Sequence, residues 1–383
     1  MNAKSTKTLA TVIILLACSC STTNTWAEIN WTNDLSAVSE NDWNYTKARH
    51  LVERAGFGDQ PVNINRLVII GPRAAVRELV YFQSIPNTLP KFDHSGIHDS
   101  GIEPFPASRP AATKLAKETG EAIGVKVKPM GNRRLQPVVD RFFYWLRSSM
   151  LETRRVAHWW ANRMLVTKRP LEEKMTLFWH GHFATNEEKV RDYRKLLNQN
   201  QVFRDYGTGN FKDLLVAVSQ DPAMLAFLDA GVNVKGSPNE NFAREIMELF
   251  TMGVGNYSEQ DIREAARAFT GWNYADLKFV VNTREHDTSN KTFLGQTGAW
   301  DGLDIIDMIL ERPVTAEYIS GKIYKFFVRE DISPQLQKEL GASLYSSGYE
   351  ITPLLEKIFL SKDFYSATSV SYTHLRAHET DIN

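Results

Sequence analysis

Cysteine is nearly absent from the 383-residue chain, and its two copies, Cys18 and Cys20, both lie close to the N-terminus. A cut after Ala27 would leave a mature protein without cysteine. Disulfide bonds require pairs of cysteines, and thiol catalysis requires a free thiolate. A chain processed at Ala27 therefore has neither a disulfide framework nor a cysteine nucleophile.

An excess of either charge is also absent, because 45 lysines and arginines balance 45 aspartates and glutamates. Without a basic excess, the sequence does not predict binding to nucleic acid. The chain also lacks a nucleophile elbow, a phosphate-binding loop and a dinucleotide fingerprint. After the N-terminal leader there is no further transmembrane pattern, so we expect membrane attachment only through a lipid anchor.

Residues 1–27 have the features of an export leader. Lys4 and Lys7 give a positively charged start, and Leu9 to Ala17 follow as an apolar stretch that is too short to span a bilayer. The leader predicts an exported protein, located in the periplasm, in the outer membrane as a lipoprotein, or outside the cell.

Two ends of this leader compete. Thr25-Trp26-Ala27 fits the small residues that precede ordinary signal-peptide cleavage, which would leave Glu28 first. Leu15-Leu16-Ala17-Cys18 resembles a bacterial lipobox, which would make Cys18 a lipidated N-terminus. Both alternatives remain open at this point.

The C-terminal residues 370–383 are not typical of a folded domain. The string SYTHLRAHETDIN resembles a translated sequencing adapter, and it has no apolar periodicity to bury. We therefore expect a non-native tail and a natural protein that continues differently. His374 and His378 are not considered as ligands.

Helical periodicity dominates the chain between these ends. Val138, Phe142, Trp145 and Met150 recur at helical spacing, and a second helical run follows at 156–166. Helix-opening signals are frequent elsewhere, including Asp-Pro, Ser-Pro and Ser-x-x-Asp sequences. The fold class predicted is mainly α, with one large helical domain at 41–367.

One segment departs from this pattern. FVV at 279–281 and KTFLG at 291–295 are separated by a polar stretch and have strand-like composition. The sequence therefore predicts at most a small β-hairpin near 279–295.

Several runs together carry a family signature. They are HLVERAGFG at 50–58, FWHGHF at 178–183, a long block at 221–272 that begins DPAMLAFLDAGVN, and HDTSNKTFLGQTGAWDG at 286–302. These runs resemble a bacterial exported family catalogued as domain of unknown function 1800 (DUF1800). The resemblance implies an exported protein, usually longer than this chain and often encoded beside sulfatase-like proteins. It brings no established activity.

His180-Gly181-His182 is the sharpest candidate for chemistry. Imidazole suits zinc, iron, copper or nickel, and a His-x-His pair is a common metal-binding arrangement. On a helix the two rings would lie about 200° apart, so convergence requires the helix to end at Gly181. We therefore expect a helix stop at Gly181. Alternatively, His180 interacts with the last carbonyls of the helix and His182 packs beside Phe183.

Further candidates lie on a helix expected from Pro238 to Met252 and in the loop that follows the predicted strand FVV. Glu245 and Glu248 are three residues apart and are surrounded by apolar residues, so each needs a partner. His286 lies in an irregular stretch, where functional side chains are frequent. We expect Glu245 and Glu248 as catalytic carboxylates, and His180, His182 and His286 as ligands of a divalent metal ion.

Two hypotheses from different classes follow. The first is an envelope metal-dependent enzyme, such as a hydrolase, in which a metal-bound water reacts with an extracellular substrate. The second is a non-catalytic scaffold or partner protein of a sulfatase-like envelope protein. In that case the same histidines and acids form a polar network that holds helices in register.

Overall fold

The computed structural model describes residues 31–98 and 136–370, together with Glu118 and Gly124, but not the side chains of 136–143. The expected leader at 1–27 and the expected tail from Ser371 onward lie outside these residues. The described residues group into a single unit.

The described chain is mainly α-helical, which confirms the predicted fold class. Short 3₁₀ turns connect several of its helices. The α-helices are α1 (Tyr45–Ala55), α2 (Pro61–Ile70), α3 (Pro72–Val80), α4 (Gln136–Val166), α5 (Pro170–His182), α6 (Glu187–Val190), α7 (Tyr193–Tyr206), α8 (Phe211–Ser219), α9 (Pro222–Phe227), α10 (Glu240–Glu245), α11 (Glu259–Ala268), α12 (Gly302–Leu310), α13 (Pro313–Phe327), α14 (Pro334–Ser346) and α15 (Ile351–Leu360). A six-residue π-helix, Ile246–Thr251, continues directly from α10.

Local capping chemistry determines where several helices begin. Asp221 accepts hydrogen bonds from the first free amides of α9, and Pro222 occupies its first position. Ser258 and Asp261 form a complete capping box at the start of α11. The predicted opening of a helix at Pro238 is wrong, since Asn239 caps α10 and the helix begins at Glu240, two residues later than predicted.

The long helix α4 joins two runs that the sequence pattern separates. It is one continuous element of 31 residues, from Gln136 to Val166. None of the described helices is both long enough and apolar enough to cross a membrane.

Four short strands form two separate antiparallel hairpins. β1 (Trp272–Ala275) pairs with β2 (Lys278–Val281), and β3 (Lys291–Phe293) pairs with β4 (Gln296–Gly298). The prediction that FVV and KTFLG are strands is confirmed, but their pairing with each other is wrong. Each strand pairs across a tight turn, because closing a tight turn costs less chain entropy than closing the longer polar connection between β2 and β3.

A single large apolar cluster holds most of the described elements together. Its centre is aromatic: Trp179 stacks on Phe183 at 5.6 Å and on Phe211 at 5.7 Å, and all three are fully buried. Burying one such side chain contributes roughly 1.5–3 kcal/mol before conformational entropy is subtracted. The helix α5 that carries the predicted histidines therefore lies in the middle of the core.

A buried ionic network fixes α5 against its neighbours. Glu173 accepts hydrogen bonds from Arg163 of α4 at 3.0 Å, from Arg204 of α7 at 2.9 Å and from the Trp160 indole at 2.9 Å. Burial alone would raise the pKa of Glu173. The hydrogen bonds and charges of Arg204 and Arg163 outweigh this effect and bring the pKa below its ordinary value. The carboxylate therefore stays charged inside the core.

The first described residues pair with the last ones. The amide of Val38 donates to the carbonyl of Leu360 at 2.8 Å, and Ala37 forms a bridge with Ser361. The carboxylate of buried Asp363 accepts from the amide of Asn33 at 2.6 Å, and from Arg329 at 2.7 Å. The N-terminal segment is therefore fixed in place by residues that lie far along the chain.

Candidate functional site

The helix α5 does not end at Gly181, contrary to the prediction. It continues to His182 and is terminated at Phe183, whose amide bonds the carbonyl of Trp179. A Cβ at Gly181 would meet no atom within 4 Å, so the glycine is an ordinary exposed helical residue. Because both histidines are helical, their side chains leave the axis about 200° apart.

His180 lies on the side of α5 that faces the long helix α4. Its ring packs edge-on against Trp160 with centroids 5.4 Å apart, and it also contacts Phe203 at 6.4 Å. Burial lowers the pKa of His180, so the ring is neutral at ordinary pH. His180 therefore acts as an aromatic packing residue in this structure.

His182 faces the opposite way, toward the π-helix. Its Nε2 donates a hydrogen bond to the carbonyl oxygen of Phe250 at 3.1 Å, since a carbonyl can only accept. Burial lowers the pKa of His182 to about 4; the bond to Phe250 opposes this shift and the charge of Lys322 adds to it. The imidazole is therefore neutral near pH 7, with an unprotonated Nδ1.

The π-helix itself has an unusual end. The last carbonyls of any helix lack partners within that helix. Here the carbonyl of Leu249 accepts from the hydroxyl of Tyr318 at 3.1 Å, and that of Phe250 accepts from His182. Inside the turn, the hydroxyl of Thr251 donates to the carbonyl of Ile246 at 2.6 Å. π-helical turns are rare and frequently occur at functional sites.

Glu245, at the junction of α10 and the π-helix, lines the same cleft as His182. Burial raises the pKa of Glu245, and the negative charge of Glu248 adds to the rise. Glu248 itself accepts a hydrogen bond from the hydroxyl of Tyr257 at 2.7 Å. The two predicted carboxylates are thus electrostatically coupled, but only Glu245 lines the cleft.

His286 lies in a different part of the molecule. Its Nδ1 bonds the carbonyl oxygen of Thr270 at 2.9 Å. The neighbouring Asp287 accepts from Arg267 at 2.9 Å and stabilises the loop that leads to β3. His286 therefore stabilises the loop that connects the first hairpin to the second.

The structure brings together two of the five predicted site residues, His182 and Glu245. In the two described ranges, no group of three or more histidine, cysteine, aspartate or glutamate side chains is placed to hold one metal ion. His180, His182 and His286 are therefore not a common ligand set in this structure. Binding of a divalent ion stays a prediction from the sequence.

The His182 cleft is a cavity of about 650 Å³ between α5, the π-helix and α13. Its walls are largely apolar, and its charged side chains include both glutamates and lysines. Its lining includes Phe178, His182, Glu245, Leu249, Tyr318, Lys322 and Phe326. Its volume falls in the range of small-molecule or peptide side-chain sites.

Two members of this cleft were missed in the sequence. Tyr318 and Lys322 are four residues apart on α13, and the Lys322 ammonium lies 5.2 Å from the centre of the Tyr318 ring. Together with Lys325 they form a polar stripe along this helix, at positions i, i+4 and i+7. That stripe was visible in the sequence, but nothing local linked it to His182.

Fold and site together define a mainly α-helical protein with a mixed-charge cleft beside a π-helix. The chain belongs to the family described as "Protein of unknown function (DUF1800)", whose model matches residues 50–377. The resemblance seen in its sequence runs is therefore confirmed. No curated protein and no solved structure is significantly similar to the chain.

Proposed function

We propose that the protein is a non-catalytic component of the cell envelope that docks a partner protein at the His182 cleft. The observation that carries this proposal is the hydrogen bond from His182 to the carbonyl of Phe250. The histidine with the strongest chemical signature in the sequence is used to hold one wall of the cleft.

The protonation chemistry of His182 supports a structural role. A general base works best when its pKa lies near the operating pH. With a pKa of about 4, the imidazole of His182 is a weak base at neutral pH. Two further candidates have structural partners as well: His180 packs on Trp160, and Glu248 accepts from Tyr257.

The surface around the cleft supports docking. Leu249 lines the cleft and is 49% exposed, and Val254, shortly after the π-helix, is 77% exposed. Apolar side chains exposed beside a concave site are typical of interaction surfaces. The partner that the family resemblance suggests is the sulfatase-like envelope protein encoded beside such chains.

Titration calorimetry with the purified sulfatase-like neighbour tests the proposal. We expect a saturable complex that Leu249→Asp weakens by about tenfold or more, which corresponds to about 1.4 kcal/mol. Ile69→Asp is the matched control, because Ile69 is equally apolar and 84% exposed but lies on α2. Absence of a complex, or equal weakening by both substitutions, contradicts the proposal.

A metal-dependent hydrolase is the second candidate, supported by the presence of His182 and Glu245 in one cleft. Two side chains are fewer than the three protein ligands that catalytic zinc sites usually have. Metal analysis of the purified mature protein separates the candidates. About one ion per chain, lost in His182→Ala at retained helicity, supports the enzyme. No ion after supplementation with several divalent metals supports the docking protein.

A further inference from the structure

A second cavity, on another part of the molecule, has no role in the proposal above. It is an open groove of about 990 Å³ between α7, α8, the start of α9 and α12. Its lining includes four aspartates, Asp205, Asp213, Asp221 and Asp307, and one lysine, Lys212. Lys212 is already paired with Asp307 at 2.7 Å. The groove therefore carries a net negative charge.

Asp221 sets this groove apart from an ordinary acidic surface. Its side chain is buried, with 4% of its surface exposed, yet it lines the groove. Oδ1 accepts three hydrogen bonds, from the amides of Ala223 and Met224 at 2.9 and 3.1 Å and from Gln199 Nε2 at 2.9 Å. No described residue donates to Oδ2. One oxygen of a buried carboxylate is thus left for a partner from outside the chain.

The remaining lining of the groove is partly polar, with Asn198, Gln201 and Gln220, and partly apolar. Val202, Val216 and Phe279 line it together with Leu277 and Leu303. A ligand that filled it would gain from apolar contact along the walls and from one positive group at Asp221. A neutral ligand could not compensate the charge of a buried carboxylate.

We propose that this groove binds a small organic cation, in which a primary ammonium on an apolar stem donates to Oδ2 of Asp221. The ammonium supplies a hydrogen-bond donor to Oδ2 and places a further positive charge beside the carboxylate. The stem lies against the apolar part of the lining, between the exposed acids at the rim.

The ionisation of Asp221 agrees with this arrangement. Burial raises the pKa of Asp221 to about 7, while the hydrogen bonds from Met224, Ala223 and Gln199 and the charge of Lys195 lower it. Lys195 is itself engaged with Asp192 at 3.6 Å and lies over the Tyr274 ring. A bound ammonium would stabilise the charged carboxylate, so binding should strengthen as the pH rises through 7.

Calorimetric titration of the full-length mature protein with 1,5-diaminopentane at pH 8 and low salt tests the proposal, with 1-pentanol as the neutral comparison. We expect saturable one-site binding of the diamine and none of the alcohol. Asp221→Asn should weaken binding by about tenfold or more. Asparagine caps helices as well as aspartate does, so the start of α9 is retained.

Two further variants keep the test decisive. Asp213→Asn removes an exposed rim charge, and we expect it to weaken binding by less than about threefold, since exposed charges contribute little. Ala217→Phe should abolish binding by filling the groove without touching Asp221. Wild-type affinity should fall about tenfold between pH 8 and pH 6, and that of Asp221→Asn should not. Equal binding by wild type and Asp221→Asn, or no saturable binding at all, overturns the proposal.

Discussion

The Nε2 of His182 donates to the carbonyl oxygen of Phe250 over 3.1 Å, and this one bond joins the end of α5 to the end of the π-helix. The carbonyl belongs to a helix end that cannot satisfy it internally. Because α5 is buried in the core, the bond holds the end of the π-helix, which is one wall of the cleft, in a fixed position against the core. Four predictions about this bond and the other buried polar groups can be checked directly.

Replacing His182 with phenylalanine should destabilise the protein by about 1–3 kcal/mol. The substitution keeps an aromatic ring but leaves the carbonyl of Phe250 without a donor. Urea denaturation followed by far-ultraviolet circular dichroism measures the change. His180→Phe is the matched control, and we expect less than about 1 kcal/mol, because His180 makes aromatic contacts rather than a backbone hydrogen bond. Equal losses in the two variants would show that the bond has no special value.

The stability contribution of His182 should depend on pH. Its pKa is lowered from 6.5 to about 4 on folding, so the unfolded chain binds more protons between these values. The contribution is therefore complete above pH 6.5 and is lost as the pH falls toward 4. Compared with His182→Phe, the wild type should lose about 1.4 kcal/mol per pH unit in this window. Nitrogen-15 spectra of the ring should show a protonated Nε2 and an unprotonated Nδ1 at pH 6.

Asp221 should give a pH dependence of the opposite sign. Its pKa is raised from 3.8 to about 7 on folding, so the folded chain binds more protons between these values. Stability from this group is complete below pH 3.8 and is lost as the pH rises through 7. Asp221→Asn should therefore gain stability relative to the wild type as the pH rises from about 4.5 to 6.5, by about 1.4 kcal/mol per unit. A constant difference between the two proteins across these pH values would contradict the assignment.

Glu173→Gln should cost about 3–5 kcal/mol, because it leaves two buried guanidinium groups without their carboxylate. Thermal and urea unfolding both measure the loss. The exposed pair of Arg49 and Glu53 offers a control of the same chemistry, since both side chains are at least 40% exposed. Glu53→Gln should change the stability by less than about 1 kcal/mol. A small effect of Glu173→Gln would mean that the core relaxes around the two arginines.

Much of the fold could be predicted from the sequence because helix boundaries depend on a few adjacent residues. Asp221 with Pro222, and Ser258 with Asp261, determine their helix starts through bonds that span at most three residues. The prediction of a helix end at Gly181 was wrong because it also relied on adjacent residues alone. A glycine stops a helix only where the backbone turns left-handed, and here the packing of Trp179 and Phe183 carries α5 past it.

The candidate site was predictable only in part. His182 was singled out as part of a His-x-His pair, and Glu245 because a carboxylate among apolar residues needs a partner. Their common cleft also requires Tyr318 and Lys322 of α13, which follow more than sixty residues later. The bond from His182 runs to a backbone carbonyl, which leaves no signal in the side-chain sequence. Such contacts depend on packing between residues that are far apart in the sequence, and the local spacing of residues does not predict that packing.

The pairing of residues 33–38 with 360–363 also has a consequence for how the chain is made. A nascent chain exposes Val38 first, but its partner Leu360 is added only after almost every helix of the fold. Asn33 likewise bonds to Asp363, which is made much later and also binds Arg329. Residues 33–38 therefore stay unpaired until residues 360–363 have been synthesised, so this contact between the two ends of the fold forms in a late step.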